Sequence, residues 1–159
     1  MMNLVYLSLG SNVGDREARL REAIAQLAAI GQVKAVSSIY ETEPVEFTQQ
    51  SNFLNCAVAV ETDLPPSELM SRLLDIERRL GRERIQKKGP RTIDIDVLLY
   101  GDLVLDSANL TIPHPAMAQR RFVLEPLAEI APEAVHPDRK KTVRQLLEEL
   151  PAGQKVWKL

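Results

Sequence analysis

Apolar positions along the chain alternate between short dense runs and stripes at helical spacing. Leu4 to Leu9 is too short for a membrane span and predicts a buried strand running into the turn Gly10-Ser11-Asn12. Leu20, Ile24 and Leu27 then recur at the period of a helix until Gly31 stops the pattern. Val33 to Tyr40 is rich in β-branched residues and strand-like, while Glu41 to Asn52 is polar, interrupted by Pro44, and reads as a long loop. Phe53 to Thr62 predicts the next strand, with Leu54, Cys56, Val58 and Val60 on the expected core face and Phe53, Asn55, Ala57 and Ala59 on the other. Ser67 is placed to cap a helix whose stripe is Leu69, Leu73, Ile76 and Leu80 and which Gly81 ends. Thr92 to Tyr100 predicts another strand, turned by Gly101-Asp102 into a hairpin with Leu103 to Leu105. Prolines then divide "LTIPHPAMAQRRFVLEPLAEIAPE" into short helical pieces, and a last helix is expected from about Thr142 to Leu150.

Strand, helix, strand, strand, helix, strand is the order of the ferredoxin-like split βαβ arrangement: an α+β fold whose antiparallel sheet carries helices on one face. With 159 residues and neither a linker nor an internal repeat, residues 1–159 are expected to form a single domain. The formal net charge of −2 argues against a general nucleic-acid binder, so any basic site must be local. One cysteine, Cys56, rules out an internal disulfide and a Cys-rich zinc site, which suits a reducing compartment and makes the cytoplasm the expected location. The N-terminal apolar run meets its turn too early for a signal peptide, and no membrane association is expected.

One strand breaks the apolar pattern. In "GPRTIDIDVLL", Asp94 and Asp96 are two residues apart and so point to one face, where like charges repel. Such a pair is tolerable if solvated, if one carboxyl is protonated, or if cations sit between them. Arg78, Arg79, Arg82, Arg84, Lys87, Lys88 and Arg91 lie just upstream, seven of the chain's 20 cationic residues in a short stretch. Carboxylates that hold Mg²⁺ through water and phosphate oxygens, beside arginines for the remaining phosphate charge, make chemical sense as a polyphosphate site. "GSNVGDR" lacks the ending of a P-loop, so the site would be of another kind. His114 in "IPHPAM" is equally readable as a hydrogen-bonded loop residue or a ligand contact. Phe53 and Phe122 are ordinarily core, yet with Asn55 they could sandwich and read a flat heterocycle.

"KKGPRTIDIDVLLYG" resembles the signature of the 6-hydroxymethyl-7,8-dihydropterin pyrophosphokinases. "YLSLGSNVGDR", "VSSIYETEPV", "FLNCAVAVET", "IERRLGRER", "LTIPHPAM" and "RRFVLEPLAEIAPE" resemble further segments of that family in the same order. The resemblance implies transfer of the β,γ-pyrophosphoryl group of ATP to the hydroxymethyl oxygen of the dihydropterin, releasing AMP, in folate synthesis. It implies two Mg²⁺ ions held by Asp94 and Asp96 and charge stabilisation by Arg82 and Arg91; apart from the resemblance, Asp96 is taken as the candidate proton acceptor. By position, Glu77, Arg82, Arg84, Lys87, Arg91, Thr111, His114 and Arg120 would contact the nucleotide. Thr42, Glu43, Pro44, Val45, Phe53, Asn55 and Phe122 would hold the pterin. ATP and the pterin are the implied partners, with no nucleic acid and no obligate protein partner. Two positions depart from the family: Lys88 where some members carry an aromatic residue, and Glu46 where Gly is frequent. The rival readings are a Mg²⁺-dependent nuclease or phosphatase, which would not need the Phe53-Asn55-Phe122 pocket, and a ferredoxin-like nucleic-acid-binding module, which the acidic balance disfavours.

Overall fold

A computed structural model describes residues 2–43, 52–81 and 93–159. The first strand, β1 (Asn3–Ser11), buries Val5, Leu7 and Leu9 completely on one face. It leads into α1 (Arg16–Gln26), where the Asp15 side chain accepts from the Ala18 N–H at 3.1 Å and so satisfies one of the free donors of the first turn. β2 (Gln32–Val36) and β3 (Tyr40–Thr42) follow, then β4 (Phe53–Thr62). α2 (Pro66–Arg79) precedes β5 (Asp94–Tyr100). Two short strands, β6 (Leu105–Asp106) and β7 (Thr111–Ile112), pair with each other. α3 (Arg121–Ile130), the small hairpin of β8 (Val135–His136) and β9 (Lys141–Thr142), α4 (Val143–Glu148) and β10 (Val156–Lys158) complete the described chain.

The main sheet is antiparallel, in the order β10-β3-β4-β1-β5, with β2 also paired to β4. The β5-β1-β4-β2 part has the expected split βαβ arrangement. Its helices, however, lie on both faces. Val5, Leu7, Leu9, Leu54, Cys56, Val58 and Val60 pack with the apolar stripes of α1 and α2. Ala57, Leu98 and Leu99 pack with α3 and α4 through Val123, Leu124, Leu127, Val143 and Leu146. The expectation of helices on one face fails because the second face of the sheet, through Ala57, Leu98 and Leu99, is also apolar and needs a cover of its own.

Four local expectations are also corrected. The segment Val33 to Tyr40 is two strands: the Ser37 N–H donates to the Ala57 carbonyl at 2.9 Å, and the Ser37 hydroxyl accepts from the Ala57 N–H at 2.8 Å, replacing a ladder bond and breaking the run. Ser67 does not cap α2; Pro65 occupies that position without a side-chain cap, because the Pro65-Pro66 pair presets the backbone of the first turn. Gly81 follows the helix at φ +83, a left-handed conformation that suits glycine. Gly101 turns the chain away, its N–H donating to the Leu4 carbonyl at 2.9 Å, so the next strand pairs with β7 instead of returning along β5. Pro126 sits inside the continuous α3 and does not divide it. The final helix is as expected, with Thr142 and Gln145 forming a reciprocal capping box.

α3 is fastened to the sheet by Glu129. Its carboxylate accepts from the Tyr40 hydroxyl at 2.6 Å and from the Ser38 N–H and hydroxyl at 2.9 and 3.1 Å. Burial would raise this carboxyl, but those bonds and Lys158 outweigh it and hold it below its ordinary value. Among the described residues no helix is long and apolar enough to cross a membrane.

Candidate active site

The register of three neighbouring strands builds the site. Asn55 of β4 and Asp94 of β5 both pair with Gly10 of β1, and one step along Ala57 and Asp96 both pair with Ser8. Side chains two apart share a face, and Ala57 and Leu98 fix that face as the one covered by α3. Asn55 and the two aspartates therefore point the same way, with Asn55 and Asp94 separated by two strand spacings, roughly 10 Å. Gly10 leaves the space between them open. A Cβ there would lie 2.8 Å from the Asn55 Oδ1 and 3.8 Å from the Phe53 ring.

Asp94 and Asp96 are half-buried. Between them, the Ile95 N–H donates at 2.7 Å to the Glu77 carboxylate, which is 2% exposed. This buried bond ties α2 to the strand that carries the aspartates. Among the described residues no group of three or more His, Cys, Asp and Glu could hold a metal. Two carboxylates nonetheless fit Mg²⁺, which typically keeps several waters and takes its other oxygens from phosphate.

His114 follows the cis Ile112–Pro113 bond, and its N–H donates to the Leu98 carbonyl at 3.0 Å, fastening this segment beside the aspartate strand. Its Nδ1 accepts from the Ala116 N–H at 3.1 Å, so the neutral ring carries its proton on Nε2. Burial, then the Arg120 charge, holds the ring below the ordinary histidine value, against the opposing pull of Asp94. That balance brings His114, Arg120 and Asp94 into one electrostatic neighbourhood. The Arg120 guanidinium stands 5.5 Å from the centroid of the Phe122 ring.

Phe122 is half-buried and packs against the core formed by α3 and α4. Thr42 pairs with Phe53, and the buried Asn55 amide donates to the Thr42 hydroxyl at 3.4 Å. Glu43 is exposed. Thr42, Phe53 and Asn55 thus lie together on one side of the Gly10 row, with Asp94, Asp96 and His114 on the other. Pro44, Val45, Glu46, Arg82, Arg84, Lys87, Lys88 and Arg91 lie outside the described residues.

A cavity of about 700 Å³ opens between α2 and the β6–β7 pair, lined by Met70, Leu74, Glu77, Arg78, Leu105 and Leu110 among others. Its volume is that of a small-molecule site. Of this lining, Glu77 is expected at the nucleotide from the family resemblance, whereas Met70 and Leu74 were not expected there. Their spacing from Glu77, seven and three residues back, places them on one helix face beside the core stripe, and that was the available signal.

The family model of 7,8-dihydro-6-hydroxymethylpterin-pyrophosphokinase matches residues 6–132. A Bacillus subtilis protein named 2-amino-4-hydroxy-6-hydroxymethyldihydropteridine pyrophosphokinase is 45% identical, over 99% of this chain and 92% of its own length. An Aquifex aeolicus protein of the same name is 41% identical, over 91% of this chain and 90% of its own. The folic acid synthesis protein of Dictyostelium discoideum is 38% identical over 97% of this chain, which spans only 23% of that longer protein. The crystal structure of a Plasmodium falciparum HPPK-DHPS triple mutant superimposes with a TM-score of 0.77 at 19% identity, covering 94% of this chain and 44% of that one, and establishes likeness of fold. Matched in sequence along most of its length by the family model and by relatives of its own size, the chain belongs to the 7,8-dihydro-6-hydroxymethylpterin-pyrophosphokinase family.

Proposed function

We propose that this chain transfers the β,γ-pyrophosphoryl group of ATP to the hydroxymethyl oxygen of 6-hydroxymethyl-7,8-dihydropterin and releases AMP. The observation that carries the assignment of roles is the row Asn55-Gly10-Asp94, which sets an amide able to read a heterocycle opposite carboxylates suited to a metal-bound polyphosphate. The pterin lies against Phe53 and Phe122, read by the Asn55 amide and by Thr42 to Val45. ATP lies on the other side, its adenosine in the cavity beside Glu77 and its phosphates running towards Asp94 and Asp96. Thr111 adjoins that cavity through Leu110, and the Nε2–H of His114 is available to donate to a phosphate oxygen.

Two Mg²⁺ ions, when bound by Asp94 and Asp96, supply charge neutralisation and alignment of the transferring group. The protein's own task is positioning. Glu77 holds the aspartate strand at Ile95, Arg120 contributes positive charge beside His114, and the rings limit how the hydroxymethyl group can be aimed. Arg82, Arg84, Lys87 and Arg91 are assigned to the phosphates from sequence resemblance, and Asp96 is the proposed acceptor of the hydroxyl proton. A reducing compartment, the cytoplasm, suits a single cysteine whose thiol is buried and pushed up to about 12 by burial.

Incubation with ATP, Mg²⁺ and the dihydropterin alcohol is expected to give AMP and a pterin diphosphate, resolved by chromatography. ADP with a pterin monophosphate would mean single phosphoryl transfer, and phosphate release without the pterin would favour the hydrolase reading.

A further inference from the structure

Arg16, the first residue of α1, makes a connection that the functional reading does not use. Its guanidinium Nη1 donates to the Asn52 carbonyl at 2.8 Å and to the Glu41 carboxylate at 3.3 Å. The Asn52 side-chain amide donates to the same Glu41 oxygen at 3.4 Å. Glu41 belongs to β3, and Asn52 immediately precedes β4, so one guanidinium joins the ends of two paired strands. The Arg16 and Glu41 side chains are only 30% and 28% exposed, which shields the pair from full solvent screening.

The connection lies on the sheet face opposite the candidate site. Glu41 pairs with Leu54, whose side chain belongs to the α1–α2 core, whereas the next pair, Thr42 with Phe53, points to the α3 side. Three of the residues assigned to the pterin, Thr42, Phe53 and Asn55, therefore stand on the backbone that Arg16 fastens from beneath. Two acceptors, a carboxylate and a carbonyl, converge on one cation. Without it their negative ends face each other with the Asn52 amide as a weak bridge, and the strand ends lose a side-chain tie that supplements their backbone pairing. The Thr42–Asn55 bond, already long at 3.4 Å, is the part of the site most exposed to such a shift.

We propose that Arg16 is a positioning residue for the pterin: by joining Glu41 to Asn52 it fixes the pairing of β3 with β4 and so the mutual placement of Thr42, Phe53 and Asn55. The proposal rests on the functional reading above. The nucleotide side, built on β5, α2 and His114, has no part in the connection, so the effect should be confined to one substrate.

The test is equilibrium titration of the full chain with 6-hydroxymethyl-7,8-dihydropterin, in Mg²⁺ and a non-hydrolysable ATP analogue, alongside separate titration with the analogue alone. Arg16→Met should weaken pterin binding about tenfold, the order expected for losing charge-assisted hydrogen bonds, while nucleotide binding stays within about twofold. Arg16→Lys, which keeps the charge but not the planar fork, should recover part of the loss. If Arg16→Met does not fold, as judged by circular dichroism, Glu41→Gln weakens the same connection more gently and should give a smaller pterin-selective loss. Unchanged pterin affinity in the folded variant, or equal loss for both ligands, overturns the role of Arg16. A wild-type chain that binds the nucleotide but not the pterin overturns the functional reading instead.

Discussion

Asp94 and Asp96 stand out in the sequence as candidate site residues because two carboxylates in an apolar strand contradict its pattern, and neighbouring cations supply a chemical reason. Gly10 was not. Read as the start of a turn, it is instead a strand residue, and its role depends on the Asn55 side chain reaching across from β4. Gly10→Ala places a methyl 2.8 Å from the Asn55 Oδ1, and the amide, a flexible side-chain end, has to rotate away. Stability should change by no more than about 1–2 kcal/mol, since overpacking is offset by the lower unfolded-state entropy of alanine. Pterin affinity should fall at least about tenfold, the cost of one hydrogen bond to a polar ring edge. Urea unfolding and pterin titration measure the two effects separately, and unimpaired pterin binding would remove Asn55 from the site.

Among the elements, β1 and β4 were readable to within a few residues as dense apolar runs of strand length, and α2 and α4 because their apolar positions recur at helical spacing. The split between β2 and β3 was not, because Val33 to Tyr40 contains no Gly or Pro and serine is a weak breaker. The break depends on what faces Ser37, namely the Ala57 N–H. Ser37→Ala leaves that N–H buried without its acceptor and should destabilise the fold by about 1–3 kcal/mol. Thermal or urea unfolding reads this directly, and a loss under about 0.5 kcal/mol would show that water or a restored ladder bond replaces the hydroxyl. The short β6–β7 and β8–β9 pairs and β10 were not foreseen, since strands of two or three residues are too short for a period of two to stand out.

For the molecule as a whole, both histidines act in the same direction. His114 is held below its ordinary value by burial and Arg120, and His136 by burial and Arg139 against Asp138. In each, Nδ1 accepts a backbone N–H, from Ala116 and from Arg139, so protonation there breaks a turn bond. A depressed histidine value means that the folded state prefers the neutral ring. The stability it contributes is complete above the unfolded value, about 6.5, and is lost as pH falls through the lower folded values. The unfolding free energy should therefore be level from pH 8 to 7 and decline below about 6.5, before ordinary carboxylates titrate. His136→Asn should reduce that slope without altering the site, and an unchanged slope would show that other groups govern the acid limb.

By itself the sequence determined the order of the main elements, the α1–α2 core face, the aspartate pair and the family, because periodicity and residue chemistry are local and survive without coordinates. Only the tertiary structure decided that the sheet is covered on both faces, that Gly10 separates Asn55 from Asp94, that a cavity lies behind Glu77, and that Arg16 joins the ends of β3 and β4. Each of these depends on strand register and on helix placement over long sequence separations. A one-residue slip would turn Asn55 and the aspartates into the opposite core, and no local pattern in the chain records which partner lies across the sheet.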